Sequence, residues 1–198
     1  FPQSADLPPI TVTFKKELGA EEKQFQPYLR DEKLVRPWAI PGTPGLEHRI
    51  GGLEKQNITG NVSYDPENHQ LMVKIRQEKV DRIADYIPEQ SLDSGPEQGK
   101  ILVLGWGSTY GAIKSAVAEL QREGYAVSHA HLRYIRPFPK NLGAILRNFE
   151  QVLIPEINNG QLIKIIRDQY LVDAKGYNNI MGVPIPKTEL VMKLREML

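Results

Sequence analysis

The stretch from Lys100 to Gly111, KILVLGWGSTYG, decides the fold of this chain. It contains an uninterrupted apolar run from Ile101 to Leu104 and ends in three glycines spaced as G-x-G-x-x-x-G. A short apolar run bounded by glycines is typical of a strand buried on both faces, and the residues after it follow a helical pattern. The stretch therefore predicts the first strand, turn and helix of an open α/β sheet.

The residues that follow repeat the same plan. Strands are predicted at 125–132, 151–155 and 177–183, because each is a short apolar run bounded by polar, Gly or Pro residues. The predicted helices run from a Ser108 or Thr109 cap to about Glu123, over 141–149, over about 161–170, and onward from a cap at Thr188. This βαβαβαβα order predicts an α/β fold with an open, mostly parallel sheet and helices on both faces.

Residues 1–96 lack this pattern, and we expect an extended arm and linker rather than a domain. Prolines interrupt their short apolar segments, although 7–14 is predicted to form one edge strand. A polar stretch at 89–99, which holds Gly and Pro, is interpreted as the linker. The α/β domain is therefore expected to span 97–198.

One helix is predicted in the arm, at about 65–86. Asp65 is suited to capping its first amides, and Pro66 fits the first helical position. The expected packed face is an apolar stripe of Met72, Ile75, Ile83 and Ile87.

The loop at 37–60 carries five glycines together with Glu47, His48 and Arg49. Glycines at this density allow the backbone to approach another molecule closely. Two interpretations stay open at this point: a loop that lines a site or an interface, and a simple surface loop.

Composition excludes several classes of protein. The chain has 198 residues, with 25 Lys and Arg against 24 Asp and Glu. This nearly neutral balance gives no electrostatic reason to expect binding to nucleic acid or to an anionic membrane. It has no cysteine, which excludes disulfides, thiolate zinc sites and iron–sulfur ligation by this chain. No apolar run approaches the length of about 20 residues that a membrane span needs. We expect a cytoplasmic location, and the initial Phe1 suggests a fragment or processed product.

Candidate ligand-binding residues lie where the predicted strands end. Small residues after the first strand leave amides free at a helix N-terminus, which suits an anion, and arginines after the second strand can bind phosphate or carboxylate. The alternatives are a purely structural turn, and arginines that pair with Glu156 or form an interface. The candidate cofactor-binding residues are Gly105, Gly107, Ser108, Thr109, Arg133 and Arg136.

Strand alternation places His129 and His131 on the same face of the second strand, with Arg133 next in the series. Two histidines could contribute to a metal site, but no carboxylate lies at a diagnostic spacing, and we predict none. No catalytic triad order, phosphate loop with lysine or HExxH motif occurs. The residues alone therefore predict no catalytic residue.

Six blocks of the sequence together resemble a known family. They are GLEHRIGGLE (45–54), TGNVSYDPENHQLMVKIRQEKV (59–80), VLGWGSTYGAIKSAV (103–117), AHLRYIRPFP (130–139), LIPEINNGQL (153–162) and GVPIPKTEL (182–190). In this order they resemble the C-terminal part of the α subunit of 2-oxoacid:ferredoxin oxidoreductases, nearest the 2-oxoglutarate type. The resemblance implies a transketolase C-terminal-like domain over 100–198.

The resemblance implies an enzyme that decarboxylates a 2-oxoacid on thiamine diphosphate with Mg²⁺. The acyl group passes to coenzyme A, and electrons pass through an iron–sulfur cluster to ferredoxin. Nothing here matches the family's YPITPSS-like motif or its cofactor-activating acid, and the diphosphate site and cluster cysteines belong to the β subunit. We therefore expect no cofactor bound by this chain, which would contact the β subunit and possibly further subunits, but neither nucleic acid nor membrane.

Three hypotheses follow. In the first, the chain supplies subunit interfaces and has no turnover alone. In the second, the GWGSTYG turn binds coenzyme A or another phosphate-bearing ligand, and in the third the chain is a stand-alone adaptor. The candidate interface residues are Glu47, His48, Arg49, Glu156, Asn158 and Gln161.

Overall fold

The computed structural model describes residues 3–9 and 11–198. The chain forms two compact units, the first ending at Arg82 and the second spanning Ile83–Leu198. This division lies before the boundary expected after residue 96, because the intervening segment bonds to the second unit. Gln90 N donates to Asn141 Oδ1 at 2.8 Å, Asn141 Nδ2 returns a bond to Gln90 O at 2.8 Å, and His129 N donates to Ser94 O at 2.9 Å.

The second unit is built on a parallel sheet of four strands in the order β2-β1-β3-β4. The strands are β1 Gly99–Trp106, β2 Val127–Leu132, β3 Phe149–Glu156 and β4 Lys175–Asn178. The helices between and after them are α2 Tyr110–Arg122, α3 Leu142–Arg147, α4 Gln161–Tyr170 and α5 Lys187–Met197. The predicted open α/β sheet is confirmed.

Both faces of the sheet are covered, which explains the apolar run in β1. Leu102 and Leu104 belong to a core formed with α3 and α4 on one face. Ile101 and Val103 belong to a second core formed with α2 and α5 on the other face. Consecutive residues of β1 are therefore buried on opposite sides, as expected for a central parallel strand.

Two elements of this unit differ from the prediction. The fourth strand was expected at 177–183 but is β4, at Lys175–Asn178. The apolar residues that suggested its continuation, Ile180 and Met181, are exposed in a loop, and Gly182 turns the chain with φ +70°. The last helix is preceded by Pro186 rather than capped by Thr188, which lies inside it.

In the first unit, α1 spans Pro66–Asp81. The 3-10 turn that follows, Arg82–Asp85, begins at the last residue of this unit. The start of α1 is as predicted, because Asp65 accepts a hydrogen bond from Glu67 N at 2.9 Å. The predicted stripe is confirmed in part: Met72 is buried and Ile75 and Ile87 are half-buried, but Ile83 is 44% exposed. The other buried residue of α1 is Asn68, a polar residue whose Nδ2 donates to Lys55 O.

The edge strand expected at 7–14 is absent from the described residues of that stretch; Ile10 lies outside them. The nearest pairing is an isolated bridge between Lys15 and Ala39. The prolines that precede this segment remove the amide donors that a longer ladder would need.

Among the helices of the described ranges, none combines the length and apolar character that a membrane crossing requires.

Candidate functional site

A crevice opens in the second unit at the carboxyl ends of β1 and β3. The sheet order places β2 and β3 on opposite sides of β1, and α2 and α4 cover opposite faces. This is the topological switch point, where open α/β sheets bind ligands. The crevice has a volume of about 190 Å³ and is lined by Trp106, Gly107, Ser108, Thr109, Ile157 and Asn158.

The turn that forms one wall is closed by Thr109. Its hydroxyl accepts a hydrogen bond from Trp106 N at 3.2 Å and donates to Trp106 O at 2.8 Å. Gly107 has φ +59°, a conformation that L-residues rarely adopt. The turn predicted from the sequence therefore forms one wall of the crevice, although Gly105 is not among the lining residues.

Gly105 is required by packing. A Cβ atom there would lie 2.5 Å from Ile113 Cδ1 and 2.8 Å from His131 Nδ1. Ile113 is fully buried on α2, so it has little room to move. Gly111, the last glycine of the motif, would place a Cβ atom in open space.

These environments predict opposite effects for two substitutions in one motif. We expect Gly105→Ala to lower the free energy of unfolding by about 1–3 kcal/mol, through overpacking between β1 and α2. Gly111→Ala should raise it by about 0.5–1 kcal/mol, because it replaces glycine within a helix. Urea denaturation of both variants measures the difference. Equal effects of the two would contradict the packing argument.

The opposite wall is held by a buried carboxylate. Glu156 has no exposed surface and accepts four hydrogen bonds. Two come from crevice residues, Trp106 Nε1 at 3.3 Å and Asn158 Nδ2 at 3.1 Å. The others come from the first turn of α4, Leu162 N at 2.9 Å and Ile163 N at 3.2 Å. Glu156 thus joins both walls of the crevice to the start of a helix.

This arrangement decides which ligand groups fit. The N-terminus of α4, where an anion would otherwise bind, already holds the Glu156 carboxylate. A second anion in the adjoining crevice would be repelled by that carboxylate. Trp106 and Ile157 add apolar surface. The crevice is also smaller than the roughly 300 Å³ at which pockets for drug-sized ligands begin. It therefore suits a single uncharged ring or a short chain.

The two arginines predicted to bind a ligand lie elsewhere. Arg133 and Arg136 follow β2, the strand on the far side of β1 from the crevice, and both are exposed. Glu156, considered as an internal partner for them, is instead bonded to neutral N–H groups. The prediction placed both arginines in one site with the glycine turn, because the sequence does not reveal the order of the strands in the sheet.

A histidine pair lies beside the glycine turn. His129 and His131 lie 5.9 Å apart between ring centres, and Tyr110 packs against both at 5.5 and 4.9 Å. The His131 Nε2 atom lies 3.1 Å from Gly107 O, to which it can donate. Burial lowers the pKa of both imidazoles, that of His129 to about 4. Within 3–9 and 11–198, no three His, Cys, Asp or Glu side chains are placed to hold a metal ion.

The candidate interface residues have different environments. Glu47 and Arg49 are exposed, whereas the His48 ring packs edge-on against Phe25 at 5.0 Å and its Nδ1 lies 2.8 Å from Leu46 O. Asn158 is half-buried and accepts from the backbone amide of exposed Gln161 at 2.9 Å.

Glu156 has no exposed surface with which to contact a partner directly. Its structural role was missed by the sequence analysis. A carboxylate that ends an apolar strand and precedes a helix by a few residues is the sequence signal for a buried acceptor that holds the first turn of that helix.

Comparison with known proteins identifies the family. Residues 99–185 match the family described as pyruvate:ferredoxin oxidoreductase core domain II. The chain is 48% identical over 191 residues to the 2-oxoglutarate oxidoreductase subunit KorA of Mycobacterium tuberculosis, covering 96% of this chain and 28% of that protein. It is 30% identical over 141 residues to the 2-oxoacid:ferredoxin oxidoreductase subunit alpha of Saccharolobus solfataricus, covering 68% of this chain and 22% of that protein.

A solved structure agrees with these relatives. The 2-oxoglutarate:ferredoxin oxidoreductase from Magnetococcus marinus, with 2-oxoglutarate, coenzyme A and succinyl-CoA bound, matches with a TM-score of 0.85 and 27% identity. The match covers 99% of this chain and 34% of that one, so the chain spans about a third or less of the proteins named here. By sequence and by fold, the chain belongs to the α subunits of the 2-oxoacid:ferredoxin oxidoreductase family.

Proposed function

We propose that this chain forms part of the α subunit of a 2-oxoglutarate:ferredoxin oxidoreductase and supplies subunit contacts rather than the catalytic core. The whole enzyme would convert a 2-oxoacid and coenzyme A into acyl-CoA, CO₂ and reduced ferredoxin. The observation that carries the proposal is the 48% identity to a 2-oxoglutarate oxidoreductase subunit over 96% of the chain. A cytoplasmic location is part of the proposal and is compatible with the lack of cysteine.

The residues of this chain do not fit the iron–sulfur cluster that the proposed reaction needs. Such a cluster is held by cysteine thiolates, and the chain has no cysteine. The cluster would therefore be bound by other parts of the enzyme, including a β subunit. We propose that thiamine diphosphate and its Mg²⁺ are bound by those parts as well.

The surface of each unit offers apolar area for such contacts. In the first unit, Trp38, Ile40 and Ile50 are each more than half exposed, and all three lie in the loop at 37–60 that carries Glu47, His48 and Arg49. In the second unit, Ile180 and Met181 are similarly exposed after β4. Aromatic side chains and methionine are enriched at protein–protein interfaces.

The proposal is tested by assembly and turnover. We expect the purified chain to show no reduction of an electron-accepting dye that depends on 2-oxoglutarate and coenzyme A. Turnover should appear when the remaining α-subunit segment and the β subunit are added, and should be lost when this chain is left out. Turnover by the chain alone, or full turnover without it, would contradict the proposal.

A further inference from the structure

A second cavity, of about 270 Å³, lies within the first unit. It was not foreseen, because its residues are spread over a segment predicted to be an arm. Its wall is formed by Tyr28, Gly51, Gly52, Leu53, Glu54, Lys55, Met72 and Arg76.

Lys55 is a buried cation in this wall, with a side chain only 5% exposed. Its Nζ atom donates to Gly51 O at 3.0 Å and to Leu53 O at 2.8 Å. Among the described residues, no carboxylate lies within ion-pair distance of this ammonium group. An ammonium group carries three N–H bonds, so one remains for the cavity, and a buried charge is costly unless it is paired.

Two further cations contact Tyr28, a residue of this wall. The guanidinium groups of Arg30 and Arg36 lie over the Tyr28 ring, 5.4 and 4.1 Å from its centre. The direct bonds of Arg30 go to neutral acceptors, Tyr28 O at 3.2 Å and Asn57 Oδ1 at 2.9 Å. Burial, and then the like charges of Arg36 and Arg76, lower the pKa of Arg30. The cations are therefore close enough to repel one another.

One carboxylate is available to offset this charge. The Oε1 atom of Glu54 lies 3.4 Å from Arg76 Nη1, and its Oε2 atom lies 2.5 Å from His69 Nδ1. Two cations, Lys55 and Arg76, thus line the cavity, and Arg30 and Arg36 lie over the ring of Tyr28 in its wall. The acidic lining residue, Glu54, is shared with a histidine. Positive charge in excess at a partly buried site favours an anion from solution.

We propose that this cavity binds a phosphate group. Arg76 can offer a planar pair of donors to two phosphate oxygens, and Lys55 offers a point charge from the buried side. The backbone of Gly51 and Gly52 forms part of the wall, and a Cβ atom at either glycine would meet nothing within 4 Å. A phosphate can therefore approach the backbone of this loop closely.

The test is calorimetric titration of the chain with inorganic pyrophosphate at constant ionic strength. We expect saturable binding at one site, weakened about tenfold by Arg76→Gln, which removes one charge-assisted contact from an exposed position on α1. The matched control is Lys79→Gln, which removes a charge from the same helix outside the cavity and should leave the affinity unchanged. Amide NMR signals of Gly51 and Gly52 should shift on titration.

Absence of saturable binding would overturn the proposal. An equal loss of affinity in Lys79→Gln and Arg76→Gln would also overturn it, because binding would then reflect general charge. Lys55→Met can open the loop that its ammonium group holds, so Arg76→Gln is the deciding variant. Titration with ADP separates two sources: equal affinity indicates recognition of the phosphate alone, and tighter binding indicates a phosphate carried by a nucleotide.

Discussion

Replacing Glu156 by alanine is expected to lower the free energy of unfolding by about 3–5 kcal/mol, because it leaves four N–H donors without their acceptor. Two of these donors are the first-turn amides Leu162 N and Ile163 N, whose charge distribution favours a carboxylate. The crevice should open as well, since Trp106 and Asn158 lose their common partner.

The conservative variant Glu156→Gln tests which of the four hydrogen bonds require the carboxylate. Oε1 accepts from Trp106, Asn158 and Leu162, whereas Oε2 accepts only from Ile163 N. A glutamine can keep its carbonyl oxygen in the first position and turn its amide nitrogen toward Ile163. Glu156→Gln should therefore cost only about 1–2 kcal/mol, the loss of one bond to a buried donor.

The measurement is urea denaturation followed by tryptophan fluorescence. The chain has two tryptophans, so a Trp38→Phe background leaves Trp106 beside the crevice as the only reporter. Glu150→Ala is the matched control, because Glu150 lies on the same strand but is exposed, and it should change stability by less than about 0.5 kcal/mol. Similar losses at Glu150 and Glu156 would contradict the assigned role.

The sequence was sufficient to predict the central elements of the second unit. The apolar run after Lys100 and the glycines that follow it fix β1, the turn and the start of α2, because strand burial and turn geometry are local requirements. The limits of α4 also agree with the prediction. The edge strand β4 was misplaced, because its sequence, KGYN, has little of the apolar pattern by which strands are recognised.

The site could be predicted only in part. Trp106 to Thr109 follow from the local turn, whereas Ile157 and Asn158 join them through the pairing of β1 with β3, which local patterns do not specify. The same limit explains why Arg133 was grouped with the glycine turn. The cation cluster of the first unit depends on contacts between residues as far apart in the sequence as Arg30 and Met72, and no periodic pattern in the sequence indicates it.

Acid should destabilise the second unit through His129. This side chain has no exposed surface, and neither ring nitrogen has a hydrogen-bond partner among the described residues. Burial lowers its pKa from 6.5 to about 4; nearby His131 and Lys114 act in the same direction, and Asp93 opposes them. The native state therefore holds a neutral imidazole over a pH range in which the unfolded chain binds a proton.

The sign of the effect follows from that difference in bound protons. Stability from this group is fully present above pH 6.5 and is lost as the pH falls toward 4, where the folded imidazole also becomes protonated. A shift of this size corresponds to a loss of about 3 kcal/mol over the interval.

The prediction is checked by urea denaturation at several pH values from 7 to 4, comparing the chain with His129→Leu. Subtracting the two curves removes the contribution of groups that the variant leaves unchanged. Because leucine cannot titrate, we expect the difference to change by about 3 kcal/mol across this range, and chiefly below pH 6.5. Parallel curves would show that His129 is protonated equally in both states, and would contradict the effect of its burial.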